Sequence, residues 1–272
     1  MHPAISQVCS LSSSFDRDIE DYAAGKCSAM EVWFTKLETY LETHSLQDVR
    51  DLLARFEMTM PVASYQGGLL ASQGEARQVA WELFLRRLDL CGELQIGAIV
   101  VACDVPKPLD QQMIERVQVS LVQSAQEAGR RGLRVALEFQ AGSAFGNNLQ
   151  TAAALVREVG SPHLGICLDV FHYYLGPSKP EDLGYLTTEN LFHVQLSDLA
   201  DTPRELAADR DRILPGEGDI GLAPIVEHLR QIGYARHVSL ELLNPQLWQV
   251  PARQLGEIGM TSLRKILGQA QM

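Results

Sequence analysis

Residues 133–139, with the sequence Leu-Arg-Val-Ala-Leu-Glu-Phe, form a short run in which every second side chain is large and apolar. In an extended chain, Val135, Leu137 and Phe139 share one face, and Glu138 lies on the other. An apolar face of this kind must pack against outer helices, which turns the second face inward. We therefore predict a strand that carries Glu138 inward near its C-terminal end.

Runs of this kind recur along the chain and are separated by stretches with helical periodicity. Such alternation is typical of βαβ units and a parallel sheet. Eight units in one chain average about 34 residues each, which suits a closed (β/α)8 barrel. The predicted strands lie near residues 5–10, 30–34, 58–64, 96–103, 133–139, 164–170, 191–197 and 237–242. The predicted helices lie near residues 16–26, 46–56, 75–90, 110–131, 148–159, 180–189, 222–232 and 253–270.

The fold predicted from these patterns is of the α/β class, a (β/α)8 TIM barrel. No linker divides residues 1–272, so we expect a single domain. A doubly wound open sheet is the alternative, but it normally has fewer strands, and no G-x-G-x-x-G follows the first strand. The long polar stretch 198–221 joins the last two strands. On a barrel it would lie at the C-terminal face, where active sites are found.

Charge and composition exclude several classes of partner. The net charge of −11 disfavours nucleic acid and anionic membrane surfaces. The densest apolar run, Ile96–Cys103, is too short to cross a bilayer, and the N-terminal residues do not resemble a signal peptide. Five widely spaced cysteines without a C-x-x-C motif indicate reduced thiols, so we expect a cytoplasmic protein. The expected partner is a small carbohydrate-like molecule; a homodimer or higher oligomer is left open.

The inward faces of the last four strands carry oxygen-bearing side chains near their C-terminal ends: Glu138, Asp169, Gln195 and Glu241. Neighbouring strands lie ~4.8 Å apart, so side chains at one level can converge. Three carboxylates there would repel one another unless a cation neutralised them. Oxygen ligands favour a hard divalent ion such as Mn2+ or Mg2+.

The pattern also allows two other interpretations. The barrel mouth could hold an internal ion-pair network that uses Arg212 and His193. The chain could also be a non-catalytic barrel that binds a small molecule.

Several segments together resemble the xylose isomerase-like barrel superfamily. This group of sugar phosphate isomerases and epimerases includes inosose isomerases and dehydratases, ketose 3-epimerases and hydroxypyruvate isomerases. The resemblance covers nearly the whole chain. It is carried by Glu31–Glu38, Val135–Phe139, Gly165–His172, Phe192–Asp198, Arg212–Gly218 and Val238–Leu242.

The resemblance implies that Glu138, Asp169, Gln195 and Glu241 bind one divalent metal ion. Most members of the superfamily have His where this chain has Gln195, but hydroxypyruvate isomerases also have Gln there. An amide oxygen is a poorer ligand for borderline-soft metals. We therefore expect Mn2+ first, with Mg2+, Co2+ or Zn2+ as alternatives.

The resemblance also implies proton transfer next to a carbonyl through an enediolate, with Glu138 and Glu241 as base and acid. His172, His193 and Arg212 would contact the substrate. The expected function is an isomerase or epimerase of a small sugar, sugar phosphate or polyol-derived ketone. The alternative is a dehydratase of a cyclic hydroxyketone such as an inosose or dehydroshikimate. The endonuclease branch of the fold is disfavoured, since it needs more histidines and a basic groove.

Overall fold

The computed structural model of the protein describes residues 1–269. Their eight strands form a closed barrel in chain order, which confirms the predicted TIM barrel and excludes the doubly wound sheet. The first strand pairs in parallel with the second and the eighth, and the third to sixth strands pair in parallel in chain order. The strands are β1 (His2–Ser6), β2 (Ala29–Trp33), β3 (Thr59–Gln66), β4 (Ala98–Cys103), β5 (Arg134–Phe139), β6 (Leu164–Asp169), β7 (Leu191–Leu196) and β8 (His237–Leu240).

Helices follow the strands around the barrel, and several begin at a polar side chain that caps the first turn. Asp110 accepts a hydrogen bond from the N–H of Met113, and Asn148 accepts one from Thr151. The α-helices of the described part of the chain are α1 (Phe15–Ala24), α2 (Phe34–Leu41), α3 (Leu46–Arg55), α4 (Gly74–Glu93), α5 (Gln111–Arg130), α6 (Leu149–Val159), α7 (Val170–Leu175), α8 (Leu222–Gln231) and α9 (Ala252–Ile266). None of the helices in residues 1–269 has both the length and the apolar character needed to cross a membrane.

The first predicted strand is misplaced. Strand β1 ends at Ser6, and the next four residues, Gln7–Ser10, form a 3-10 helix. The apolar residues of this segment suggested a strand, but Gln7 and Ser10 are held by hydrogen bonds to the buried Asp18. These tertiary bonds override the local pattern.

Other differences concern helices. The predicted helix 180–189 is only a 3-10 segment, Pro180–Tyr185. Helices α2 and α7 were not predicted, because they begin directly at the ends of β2 and β6, and a continuous apolar run does not separate strand from helix. Helix α9 ends at Ile266, and the last predicted helical position, residue 270, lies outside the described residues.

The chain divides into two compact units, each with its own strand pairing. The first consists of residues 1–61 and the segment from Gln195 onward, and the second of residues 62–194. In the first unit, β1 pairs with both β2 and β8. In the second, β5 lies between β4 and β6, with Glu138 opposite Cys167.

One side chain of the second unit departs from the predicted alternation. Phe192 belongs to the outer face of β7 by alternation, yet it joins a buried cluster with Ala136 and Cys167, which alternation places inward. Its ring occupies the space beside Gly165, where a Cβ would come within 2.7 Å of the ring. The missing side chain on β6 therefore makes room for an aromatic ring.

Candidate active site

The second unit brings Glu138, Asp169 and His172 together. One ligand atom from each side chain lies within 4.8 Å of those of the other two. The carboxylates are buried, with 5% exposure for Glu138 and none for Asp169. Glu138 ends the inward face of β5, and its register partner is two residues before Asp169 on β6. The three side chains thus meet at the C-terminal ends of two adjacent strands.

Helix α7 explains the position of His172. It begins at Val170, and Asp169 caps it by accepting a hydrogen bond of 2.8 Å from the N–H of Phe171. Three residues along a helix bring a side chain back to the same side. The imidazole Nε2 of His172 consequently lies 3.7 Å from Oδ2 of Asp169.

This cluster has the donor chemistry of a divalent metal site. Two carboxylates in a buried position repel each other and lose hydration, so a cation between them is favourable. Two carboxylate oxygens and one imidazole nitrogen suit Mn2+, Co2+ and Zn2+. The residues present therefore fit a metal ion. His172, predicted as a substrate contact, is equally placed to act as a ligand.

The first unit brings the other two predicted ligands together, and adds Glu31. The amide Nε2 of Gln195 donates a hydrogen bond of 2.9 Å to Oε1 of Glu31 and another of 2.9 Å to Oε1 of Glu241. All three side chains are buried. A single amide group therefore links two carboxylates that come from strand β2 and from the end of β8.

Arg212 forms a salt bridge with Glu241 of this group. Its guanidinium Nη1 lies 3.1 Å from Oε2 of Glu241, and its Nη2 lies 2.8 Å from Oδ1 of Asp209. The arginine is 1% exposed. The structure places it on two carboxylates, and its predicted contact with substrate stays a prediction. A paired, buried guanidinium of this kind holds Glu241 in place and offsets its charge.

The loop that carries Arg212 is anchored by Asp198, directly after β7. Its buried carboxylate accepts hydrogen bonds from the backbone N–H groups of Leu199, Gly216 and Ile220, at 2.8–2.9 Å. Asp198 also forms an isolated antiparallel bridge with Ile213. The predicted irregular stretch 198–221 is therefore an ordered loop tied to the strand end.

The remaining predicted contact, His193, is fully buried on β7. Its role at the substrate stays a prediction.

Glu31 was not among the predicted site residues. The alternation of β2, Ala-Met-Glu-Val-Trp, separates Glu31 from Met30 and Val32, so the sequence did contain a signal for its face. No sequence signal pointed to its partner, since Gln195 lies 164 residues away.

A sequence model described as xylose isomerase-like TIM barrel matches residues 20–266, most of the chain. The chain belongs to this family. It is 27% identical over 227 residues to an inosose isomerase of Halalkalibacterium halodurans, across 80% of this chain and 79% of that protein. It is 29% identical over 265 residues to a 3-dehydroshikimate dehydratase of Pseudomonas aeruginosa. That match covers 93% of this chain but 40% of the dehydratase.

A solved structure shares the fold closely. The IolI protein, whose crystal structure contains a bound zinc atom, superposes with a TM-score of 0.92 at 22% identity, over 100% of both chains. The curated relatives are named as isomerases and dehydratases, so the family is one of enzymes, mainly of the isomerase class. The resemblance inferred from the sequence segments is confirmed.

Proposed function

We propose that the protein is a divalent-metal-dependent isomerase or epimerase that moves a proton next to the carbonyl of a small polyhydroxylated ketone. The observation that carries this proposal is the buried cluster of Glu138, Asp169 and His172, within a family whose named relatives include inosose isomerases. We propose a ring ketone of the inosose type as substrate, because an inosose isomerase covers four fifths of the chain.

The metal would be held by Glu138, Asp169 and His172, and would supply positive charge that stabilises an oxygen anion on the substrate. Mn2+ is our first choice, on the mixed oxygen and nitrogen donors. The sequence also predicts Gln195 and Glu241 as ligands, and these two assignments stay predictions.

Glu138 is the proposed proton acceptor. Its Oε2 accepts a hydrogen bond of 3.2 Å from the Nε2 of Gln140, which keeps the carboxylate in one orientation. Glu241 is the proposed second proton-transfer group, and the bond from Arg212 at 3.1 Å holds it still. Return of the proton to the other face of the same carbon gives epimerisation, and return to the adjacent carbon gives isomerisation.

A dehydratase is the second candidate. The supporting observation is that dehydroshikimate dehydratases match 93% of the chain, at 26% and 29% identity. Removal of the same proton, followed by loss of a hydroxyl group one carbon further, releases water and leaves a double bond. The same side chains would serve both reactions.

The test is turnover of inososes, ketoses and dehydroshikimate by the Mn2+-loaded protein in D2O. An isomerase or epimerase incorporates deuterium next to the carbonyl without an absorbance change, whereas a dehydratase forms an absorbing conjugated product. We expect Glu138→Gln to lower kcat by at least about 100-fold, in the range for a general acid or base. Glu42→Gln, which makes the same change at an exposed position, should leave it unchanged.

Absence of exchange and of product with every compound, in protein that holds metal, would refute both candidate reactions. A protein that binds no divalent metal by elemental analysis, even after incubation with Mn2+, would refute the metal-dependent mechanism. The five cysteines of the described residues are buried thiols that form no disulfide, which agrees with a reducing compartment, and we propose a cytoplasmic location on that ground.

A further inference from the structure

Two arginines of the second unit lie close together between α4 and α5. Arg77 on α4 donates hydrogen bonds of 2.9 Å to the hydroxyl of Ser120 and to the amide oxygen of Gln123, both on α5. Arg116 lies one turn before Ser120 on α5. Both of its Nη atoms donate at 2.9 Å to the amide oxygen of Gln73, one turn before Arg77. Since a helix turn rises by about 5.4 Å, this crossed arrangement makes the two guanidinium groups neighbours.

The protein does not neutralise these two charges. Burial and the positive charge of Arg116 both lower the pKa of Arg77, and no carboxylate opposes them. Within residues 1–269, neither guanidinium forms an ion pair. Glu75, the acidic residue in the first turn of α4, is exposed to solvent. Because like charges repel each other, an anion placed between the two arginines lowers the free energy of the pair.

The chain around Ser72 adds hydrogen-bond donors at the same place. Nη1 of Arg116 also lies 3.4 Å from the backbone oxygen of Ala71, so this guanidinium contacts the residues on both sides of Ser72. The hydroxyl of Ser72 is buried and has no hydrogen-bond partner in the described part of the chain. Helix α4 begins directly afterwards, at Gly74, and no side chain caps it. The N–H groups of its first turn therefore add partial positive charge beside the two arginines.

We propose that Arg77, Arg116 and the first turn of α4 bind a phosphate group, which belongs either to inorganic phosphate or to a phosphorylated small molecule. A phosphate group carries close to two negative charges at neutral pH and so matches two cations, whereas a carboxylate carries one. Arg77 has more N–H bonds than the two that it directs at α5. Both arginines are partly exposed, so a ligand from solvent can reach them. The proposed reaction uses none of these residues.

The test is a calorimetric titration of the full-length protein with sodium phosphate at low ionic strength. We expect a saturable site that Arg77→Gln and Arg116→Gln each weaken by at least about tenfold, the lower end of the range for hydrogen bonds to charged groups. Arg86→Gln is the matched control, because Arg86 is an exposed residue of the same helix. This control should stay within about twofold of the wild type, since a distant exposed charge is screened by solvent. Sodium acetate should bind at least about tenfold more weakly than phosphate.

A second titration, with a hexose phosphate, distinguishes the two sources of the phosphate group. Binding that is tighter than that of inorganic phosphate assigns the site to a phosphorylated small molecule. Binding that is equal or weaker assigns it to the phosphate ion. The same arginine variants must weaken binding of the hexose phosphate, because both ligands present the same group to the site.

Three results would overturn the proposal. The first is a wild-type protein that is not saturated by about 10 mM phosphate. The second is phosphate binding that Arg77→Gln and Arg116→Gln leave unchanged, since the ion then binds elsewhere. The third is acetate binding as tight as that of phosphate. Should a variant fail to fold, arginine modification of the wild type by phenylglyoxal gives the decision. Phosphate should protect Arg77 and Arg116 but not Arg86, and equal modification with and without phosphate also overturns the proposal.

Discussion

Replacement of Lys36 by methionine tests whether a buried ion pair holds the N-terminal segments of the barrel together. Nζ of Lys36 lies 2.6 Å from Oδ2 of Asp18, and it donates a second bond of 2.6 Å to the backbone oxygen of Ser10. The two charged side chains are 6% and 0% exposed. Gln7 and Ser10 also donate to the same carboxylate. The pair therefore joins α1, α2 and the 3-10 helix that follows β1.

The magnitude follows from the burial of the pair. Burial raises the pKa of Asp18 although Lys36 opposes the shift, and burial lowers the pKa of Lys36. Removal of Lys36 leaves a buried carboxylate without its counter-charge, which costs about 3–5 kcal/mol. In a chain of this size, that loss lowers Tm by about 6–20 °C. The variant Asp18→Asn/Lys36→Met removes both charges, so we expect it to recover at least about half of the loss.

Urea denaturation followed by circular dichroism measures these free energies, with Lys265→Met as a control at an exposed position. A raised pKa in the folded state means that stability is greater at low pH and is lost as pH rises through that pKa. Since removal of Lys36 raises the pKa of Asp18 further, the deficit of Lys36→Met should shrink when pH is lowered from about 8 to about 4.5. A loss of less than about 1 kcal/mol in the free energy of unfolding of Lys36→Met at pH 7 would contradict this reasoning. So would a double variant whose loss equals the sum of the losses in the two single variants.

Three further outcomes follow from local geometry. Gly165→Ala would place a Cβ 2.6 Å from a backbone oxygen and 2.7 Å from an aromatic ring, so its urea midpoint should fall by an equivalent of about 1–3 kcal/mol. Gly92→Ala, with no heavy atom within 4 Å, should not lower it, and equal effects would contradict the packing argument. Asp198→Ala removes the acceptor of three backbone N–H groups, so limited proteolysis should cleave residues 199–220 faster than in the wild type; unchanged cleavage would argue against the anchor. Burial raises the pKa of Cys27 to about 11 and of Cys91 to about 12, so thiol reagents at pH 8 should react with them at least about tenfold more slowly than in urea. Rapid labelling of either in the native protein would contradict their burial.

The barrel could be predicted from the sequence because its signal is repeated eight times. Each strand has its own alternation, so an error in one, as at Gln7–Ser10, does not alter the fold. Burial of Asp18 was beyond such reasoning, since a charged residue on a helix is ordinarily solvated. Its three partners come from other elements, and no local spacing relates them to it.

The sequence predicted on which face of its strand each site residue lies, but it did not predict which side chains contact one another. Alternation assigned Glu138 and Asp169 to the inward side, and the structure brings these two together. Alternation does not predict which side chain forms a hydrogen bond with a given carboxylate. Gln195 and Arg212 both bond to Glu241, but only Gln195 lies on a strand, and the bond from Arg212 depends on the path of the loop after β7 rather than on strand periodicity.

The metal cluster itself depends on where one strand ends. Had β6 continued through Val170 as an extended chain, each further residue would have advanced by about 3.3 Å, and His172 would lie about 10 Å beyond Asp169. Instead the backbone turns into α7 at Val170, so the same three residues rise by only about 4.5 Å and return to the same side. Asp169 causes this turn by capping the helix through Oδ1, while its Oδ2 faces the imidazole. One carboxylate thus ends the strand, starts the helix and forms part of the cluster, which is why the pair separated by three positions becomes a candidate ligand pair only in the folded chain.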